Sequence, residues 1–203
     1  MDERARMMAL LGPIAEEIRV EWRSNGLGFF EVGSQPIVIR PDGGAWRVYN
    51  ELHRNETLAV VPDDELRMAV FHLVFDALRR MEYIRNLPGI YVELLDDTGE
   101  DISAFIEGLS DALGGLVCSL SVVVLRSDYP GFVSIEGVNC SISTFDKPAP
   151  YWLVSVEEAL EDEDYITVDA NDYAGLRDGI VKITMRALPN LRFVIKPTPM
   201  VMA

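Results

Sequence analysis

Two histidines, two cysteines and three lysines are all that this 203-residue chain carries of those types. His53 and His72 alone give no material for a histidine-rich metal centre, and a histidine-based triad would have to use one of them. Cys118 and Cys140 are too few for a zinc site and show no CxxC spacing. Cys118 is in phase with Leu116, Leu120 and Val122, and Cys140 with Val138 and Ile142, so both read as small core residues. No apolar run reaches the roughly 18 residues of a membrane span. The opening MDERARMMALLGPIAEE mixes both charge signs and lacks a small-residue cleavage site. It predicts a helix rather than an export signal, and a cytoplasmic protein.

Positive charge is also scarce. Lysine occurs only at 147, 182 and 196, and 18 basic residues face 33 acidic ones, for a formal charge of −15. Nucleic-acid binding rests on neutralising phosphates, so this balance argues against it. Nucleotide-binding loops are missing too. There is no GxxxxGK[ST], and GLGFFEVG near residue 26 lacks a third glycine and precedes a strand. Gly108-Leu-Ser110 sits inside a helical pattern, not on a strand-to-helix elbow. No cofactor is implied.

What the chain does have is a broad apolar helix. Leu66, Ala69, Val70, Leu73, Val74, Ala77, Leu78 and Met81 recur at helical spacing, and Phe71 and Phe75 widen the stripe. The pattern predicts a long central helix over 63–86, with Asp63 and Asp64 at its positive end and Pro88 forbidding continuation. Before it, helices are expected over 2–11 and from Pro13 to a stop at Asn25-Gly26, with Ile14, Ile18 and Trp22 on one face. A hairpin follows. Asp42-Gly43 as its loop sets Ile39 opposite Trp46 and Ile37 opposite Val48. Residues 57–61 add a strand.

Beyond Pro88, strand 89–95, helix 102–113 and strand 116–125 make one β-α-β unit over 89–125. A change of phase predicts a bulge or tight turn at Glu136-Gly137. Ser155 and Glu158 resemble a capping box for a short helix. Residues 165–170 read as a strand and 171–179 as a loop. Two alternating strands then close the chain, Ala187 pairing Phe193 and Met185 pairing Ile195. The expectation is an α+β, mixed α/β domain spanning 1–203, a largely antiparallel sheet packed on the central helix, with any subdomain seam near 87–89. The opening order of helix, short strands and long helix resembles small acidic secretion-chaperone-like folds, which implies nothing about activity.

Two features could carry chemistry. Asp96 and Asp97, with Thr98, Glu100 and Asp101, follow a strand and precede a helix. Paired carboxylates at a carboxyl strand end can hold Mg²⁺ and orient a phosphate; equally, Thr98 can cap the helix with the acids favouring its start. The second feature is segregated charge. Lys182, Arg186, Arg192 and Lys196 form a basic stripe, and Glu161, Asp162, Glu163 and Asp164 an acidic run. Complementary charge of this kind sets on-rate and specificity for a protein partner. The leading expectation is therefore a non-enzymatic protein-binding module: an adaptor, chaperone, immunity-type inhibitor or assembly subunit. The alternatives are a Mg²⁺-dependent phosphate-handling enzyme using 96–101, and a homo-oligomer subunit joined through a spare apolar face of the central helix.

Overall fold

The Asp2 carboxylate accepts a hydrogen bond from the Ala5 amide at 2.6 Å and so caps α1, Glu3–Leu11. The computed structural model describes residues 2–94, 103–126, 132–135, 140–145, 151–156 and 165–191. After Gly12 and Pro13 comes α2, Ile14–Glu17, much shorter than the spacing of Ile14, Ile18 and Trp22 predicts. The chain reverses at Arg19, which takes a left-handed φ of 55°. The Val20 amide reaches back to the Ala15 carbonyl and the Arg19 amide to that of Glu16, a helix stop in which a charged residue does the work of glycine. Trp22 therefore lies in a strand, β1, Glu21–Arg23.

An antiparallel meander follows: β2 Leu27–Val32, β3 Gln35–Asp42, β4 Ala45–Asn50 and, after a 3₁₀ turn Glu51–His53 and α3 Arg54–Thr57, β5 Ala59–Val61. Its order is β1-β2-β3-β4-β5. The β3–β4 loop is Gly43-Gly44, not Asp42-Gly43. Both glycines have positive φ, 59° and 97°, as a tight hairpin turn of this hand demands. Asp42 pairs with Ala45, so Ile39 faces Val48 and Ile37 faces Asn50. The register is two residues from the expected one. A shift of two preserves faces, and Ile37, Ile39, Trp46 and Val48 are all buried on the same side.

A 3₁₀ turn Asp63–Glu65 leads into α4, Leu66–Arg80. Every Leu, Val and Phe of α4 is buried. It packs on β4, β2 and β5, with α1 beside it. Its end falls at Arg80, short of the expected 86. Glu82, φ 63°, stops it with the same pattern of amides that ends α2: Tyr83 to the Leu78 carbonyl and Glu82 to that of Arg79.

A second sheet has the order β11-β10-β9-β8-β7-β6. It begins with β6, Gly89–Leu94, followed by α5, Ser103–Leu113, and β7, Ser121–Arg126, which lies parallel to β6. The β-α-β unit is thus present. Its second strand starts later than expected, because Gly114–Cys118 forms a 3₁₀ turn. Cys118 sits in that turn and is exposed, which corrects its reading as a core residue. Then come β8 Phe132–Ile135, β9 Cys140–Phe145, β10 Tyr151–Val156 and β11 Tyr165–Asp169, each antiparallel to its neighbour. The expected turn at Glu136-Gly137 lies outside the described residues, between Ile135 and Cys140, which face each other. So does the helix expected after Ser155. Ser155 itself stands in β10, opposite Tyr165.

The largest correction is the last element. In place of a loop and the first of two alternating strands, residues 173–191 form one helix, α6, Tyr173–Leu191, while Phe193 and Ile195 of the second expected strand lie outside the described residues. The Asp172 side chain caps it by accepting from the Gly175 amide at 2.8 Å. Leu176, Ile180, Val181, Ile183, Thr184, Ala187 and Leu188 are buried, a helical stripe. The alternation of Val181, Ile183 and Ala187 is a subset of that stripe. Gly179 lets α6 approach the second sheet closely: a Cβ there would lie 3.7 Å from methyls of Val154 and Val168.

The molecule is α+β, with two largely antiparallel sheets where one was expected. α4 covers the first, and α5 and α6 accompany the second. Buried side chains of both sheets and of these helices form one contiguous apolar cluster. No helix among the described residues is long and apolar enough to cross a membrane.

Candidate functional site

The early stop of α2 leaves Glu16 and Glu17 on its last turn, and the reversal at Arg19 brings Glu21 of β1 opposite Phe29 of β2. Two residues along β2, Glu31 shares the face of Phe29. Against this corner rests the C-terminal half of α6, with Met185, Arg186 and Leu188. Together they line a cleft of about 940 Å³, with Tyr83 at one wall. Four carboxylates thus meet two guanidinium groups, those of Arg19 and Arg186, over an apolar floor that includes Phe30, Met185 and Leu188.

Arg186 closes one side of the cleft. Its Nη2 lies 2.6 Å from Glu17 Oε1 and its Nε donates to Glu17 Oε2 at 3.3 Å, tying α6 to α2. Glu16, Glu21 and Glu31 are exposed and hold no ion pair among the described residues. The Arg23 guanidinium lies over the Phe29 ring, 3.3 Å from its centre. The cleft therefore presents acid over apolar surface, which suits cationic groups carried on an apolar stem.

A second, smaller pocket of about 320 Å³ lies between α4 and β4–β5. Its wall is mostly apolar, with Ala59, Val61, Met68 and Ala69, and with His72, Thr57 and Glu65 as its polar members. His72 Nδ1 and Ser119 Oγ are 2.5 Å apart, a hydrogen bond whose direction depends on the ring tautomer. Burial pushes the His72 imidazole below its usual pKa, so the ring is neutral at pH 7. Ser119 does not line the pocket. The pair joins α4 to the turn before β7 rather than forming a nucleophile and base at a substrate site.

Comparison with family models, with curated proteins and with solved structures finds no match for this chain.

The sequence-predicted site residues divide in two groups. Asp96 and Asp97 lie outside the described residues, between β6 and α5, as do Glu161, Asp162, Glu163 and Asp164 between β10 and β11. Arg192 and Lys196 lie beyond Leu191, also outside them. Lys182 and Arg186 are on α6, not on a strand. Their stripe survives as an i, i+4 pair on a helix, but Arg186 is spent on Glu17. Among the described residues, no three His, Cys, Asp or Glu side chains are grouped closely enough to hold a metal ion. The acidic cleft itself has no linear signature. Its parts are separated by more than 150 residues, and the local signals were the acid pair after Ile14 and the alternation of Phe29 with Glu31.

Proposed function

We propose that this protein is a non-enzymatic binding module that receives a basic segment of a protein partner in the cleft between α2, β1–β2 and α6. One observation carries the reading: four glutamates from three separate elements converge on a cleft large enough for several side chains, over an apolar floor. Arginine or lysine stems lie on Phe and Met surface while their charges meet Glu16, Glu21 and Glu31. The formal charge of −15 adds long-range steering toward such a partner. The homo-oligomer reading has less support, since the Leu, Val and Phe side chains of α4 are buried within the chain.

The test separates the cleft from general acidity. A labelled peptide Ac-Arg-Leu-Arg-Leu-Arg-NH₂ is titrated by fluorescence anisotropy into the parent protein, Glu21→Lys/Glu31→Lys, and Glu161→Lys/Asp162→Lys. The cleft variant should lose about tenfold or more in affinity, while the matched charge change at 161–162 slows association without abolishing binding. Equal losses in both variants would reduce the effect to net charge and remove the reading.

A further inference from the structure

We propose that the outer edge of β5 accepts an extended peptide from a protein partner as an added strand, seating one apolar side chain in the 320 Å³ pocket between β5 and α4. This surface is distinct from the acidic cleft, so either site can fail without the other.

The backbone argues for an extended occupant. β5 is the last strand of the first sheet, and its outer edge has no strand partner among the described residues. Natural proteins protect strand edges with charge, proline or shortness, and of these β5 has shortness alone, with three residues. β5 is Ala59-Val60-Val61 preceded by extended Leu58, without a charge, and Pro62 stands only after it. Leu58 and Val60 share the outer face and are 45% and 55% exposed, two of the few large apolar side chains left in solvent. Only an extended chain matches the amide and carbonyl spacing of such an edge.

The side-chain argument comes from the same strand. The period of two turns Ala59 and Val61 the other way, into the pocket wall, facing Met68 and Ala69 of α4. A residue of an added strand opposite Ala59 or Val61 has its side chain on that face, at the pocket mouth. Of the polar residues that line the pocket, Glu65 is exposed and the other two are already bonded. The Thr57 hydroxyl already accepts from the Asn50 amide and donates to the His53 carbonyl, and His72 Nδ1 is engaged by Ser119. Carboxylates mark both ends of the strand: Glu51 and Glu56 before it, Asp64 and Glu65 after it, all exposed. Glu56 is paired with Arg80. The occupant is thus a short extended segment with a central apolar residue and basic residues at its ends.

The probes are labelled peptides Ac-Lys-Thr-X-Thr-Lys-NH₂ with X as Ala, Val, Leu, Met or Phe, titrated into the full chain by anisotropy. Affinity should rise with a bulky X and vanish when the backbone amides are N-methylated, since side chains are then kept but strand pairing is lost. Ala69→Leu, which fills the pocket, should weaken the best peptide about tenfold without weakening the peptide bound at the acidic cleft. Glu21→Lys/Glu31→Lys should leave the order of X unchanged. No binding by any member at millimolar concentration, or binding indifferent to N-methylation and to Ala69→Leu, overturns the proposal. So does light scattering that shows a dimer abolished by Val60→Lys, because the edge would then belong to a second copy of this chain.

Discussion

Arg67 of α4 lies 3.4 Å from Asp178 of α6, and through its Nε it also donates to the Leu10 carbonyl of α1 at 3.2 Å. One guanidinium therefore joins three helices. Gly12 makes room for it: a Cβ there would lie 2.6 Å from Arg67 Nη2. Asp178 is mostly buried and its Oδ1 has no hydrogen-bond partner among the described residues. Burial raises its pKa above the ordinary carboxylate value, and Asp172 adds to that, while Arg67, Lys182 and Arg177 oppose it.

Removing Arg67 strands that carboxylate. Arg67→Ala should cost about 2–3 kcal/mol at neutral pH, the cost of orphaning a buried charge and a carbonyl. Arg67→Ala/Asp178→Asn should recover about 1 kcal/mol of it, because the charge is gone. The pH sign follows. A raised folded-state pKa means stability that is present below the unfolded value of about 3.9 and lost as pH rises through the folded one. The deficit of Arg67→Ala should therefore shrink on acidification, as Asp178 takes its proton. Urea unfolding of the three proteins at neutral and mildly acid pH checks this; a double variant no better than the single would contradict it.

Asp63 is the converse case. Arg6 donates to both its oxygens, at 2.5 and 3.0 Å, and the Trp46 indole N–H donates to Oδ1 at 2.7 Å. The Arg6 hydrogen bond, then that of Trp46, hold the carboxyl below its usual pKa. Stability from this group is present above the unfolded value and lost as pH falls through the folded one. Trp46 is fully buried. Its fluorescence should change only at a pH below the ordinary carboxylate range, and Asp63→Asn should remove that step. A fluorescence titration of both proteins, with Trp22 and Trp152 replaced by Phe so that Trp46 alone emits, reads it.

The stop of α4 carries strain that can be relieved. Glu82 holds φ 63°, where a Cβ is crowded by the backbone, and its side chain is exposed. Glycine adopts this conformation freely. Glu82→Gly should stabilise the protein by about 0.5–1 kcal/mol, net of the chain entropy that glycine adds to the unfolded state. A raised denaturation midpoint with unchanged slope is the expected result; Glu82→Ala, which keeps the Cβ, should not show it.

How far the fold could be read from sequence depended on whether two periods competed. In α4 they did not: Leu66, Val70, Phe71, Leu73, Val74 and Leu78 fit only a helix, and all are buried. In the β3–β4 hairpin the period was right and the turn wrong, so the faces of Ile39 and Trp46 survived a register error of two. In α6 both periods fitted Val181, Ile183 and Ala187. The upstream evidence, Leu176, Ile180 and the Asp172 cap, was hidden by two glycines that resemble a loop. Gly179 is there for close packing, not for a turn. Cys118 was misplaced because a 3₁₀ turn continues the apolar run LVC without strand geometry. The acidic cleft was illegible for another reason: it exists only when α6 meets α2, a contact no local pattern encodes.

His72 offers a test at near-neutral pH. It stands on the half-buried side of α4, bonded to Ser119, and burial depresses its pKa. A depressed folded-state value means the unfolded chain takes up a proton first as pH falls. The contribution of His72 is thus complete above the unfolded pKa of about 6.5 and is lost as pH drops below it. Protonation also requires Nδ1 to act as a donor, so Ser119 must then accept. Glutamine at this position can keep a hydrogen bond to Ser119 but cannot titrate. Between pH 8 and pH 5.5 the parent should therefore lose stability relative to His72→Gln, and the difference between the two should stay constant above pH 7. Urea midpoints across that range decide the matter. Parallel curves would mean that His72 titrates alike in folded and unfolded chains, and that its burial beside the β5 pocket is too shallow to matter.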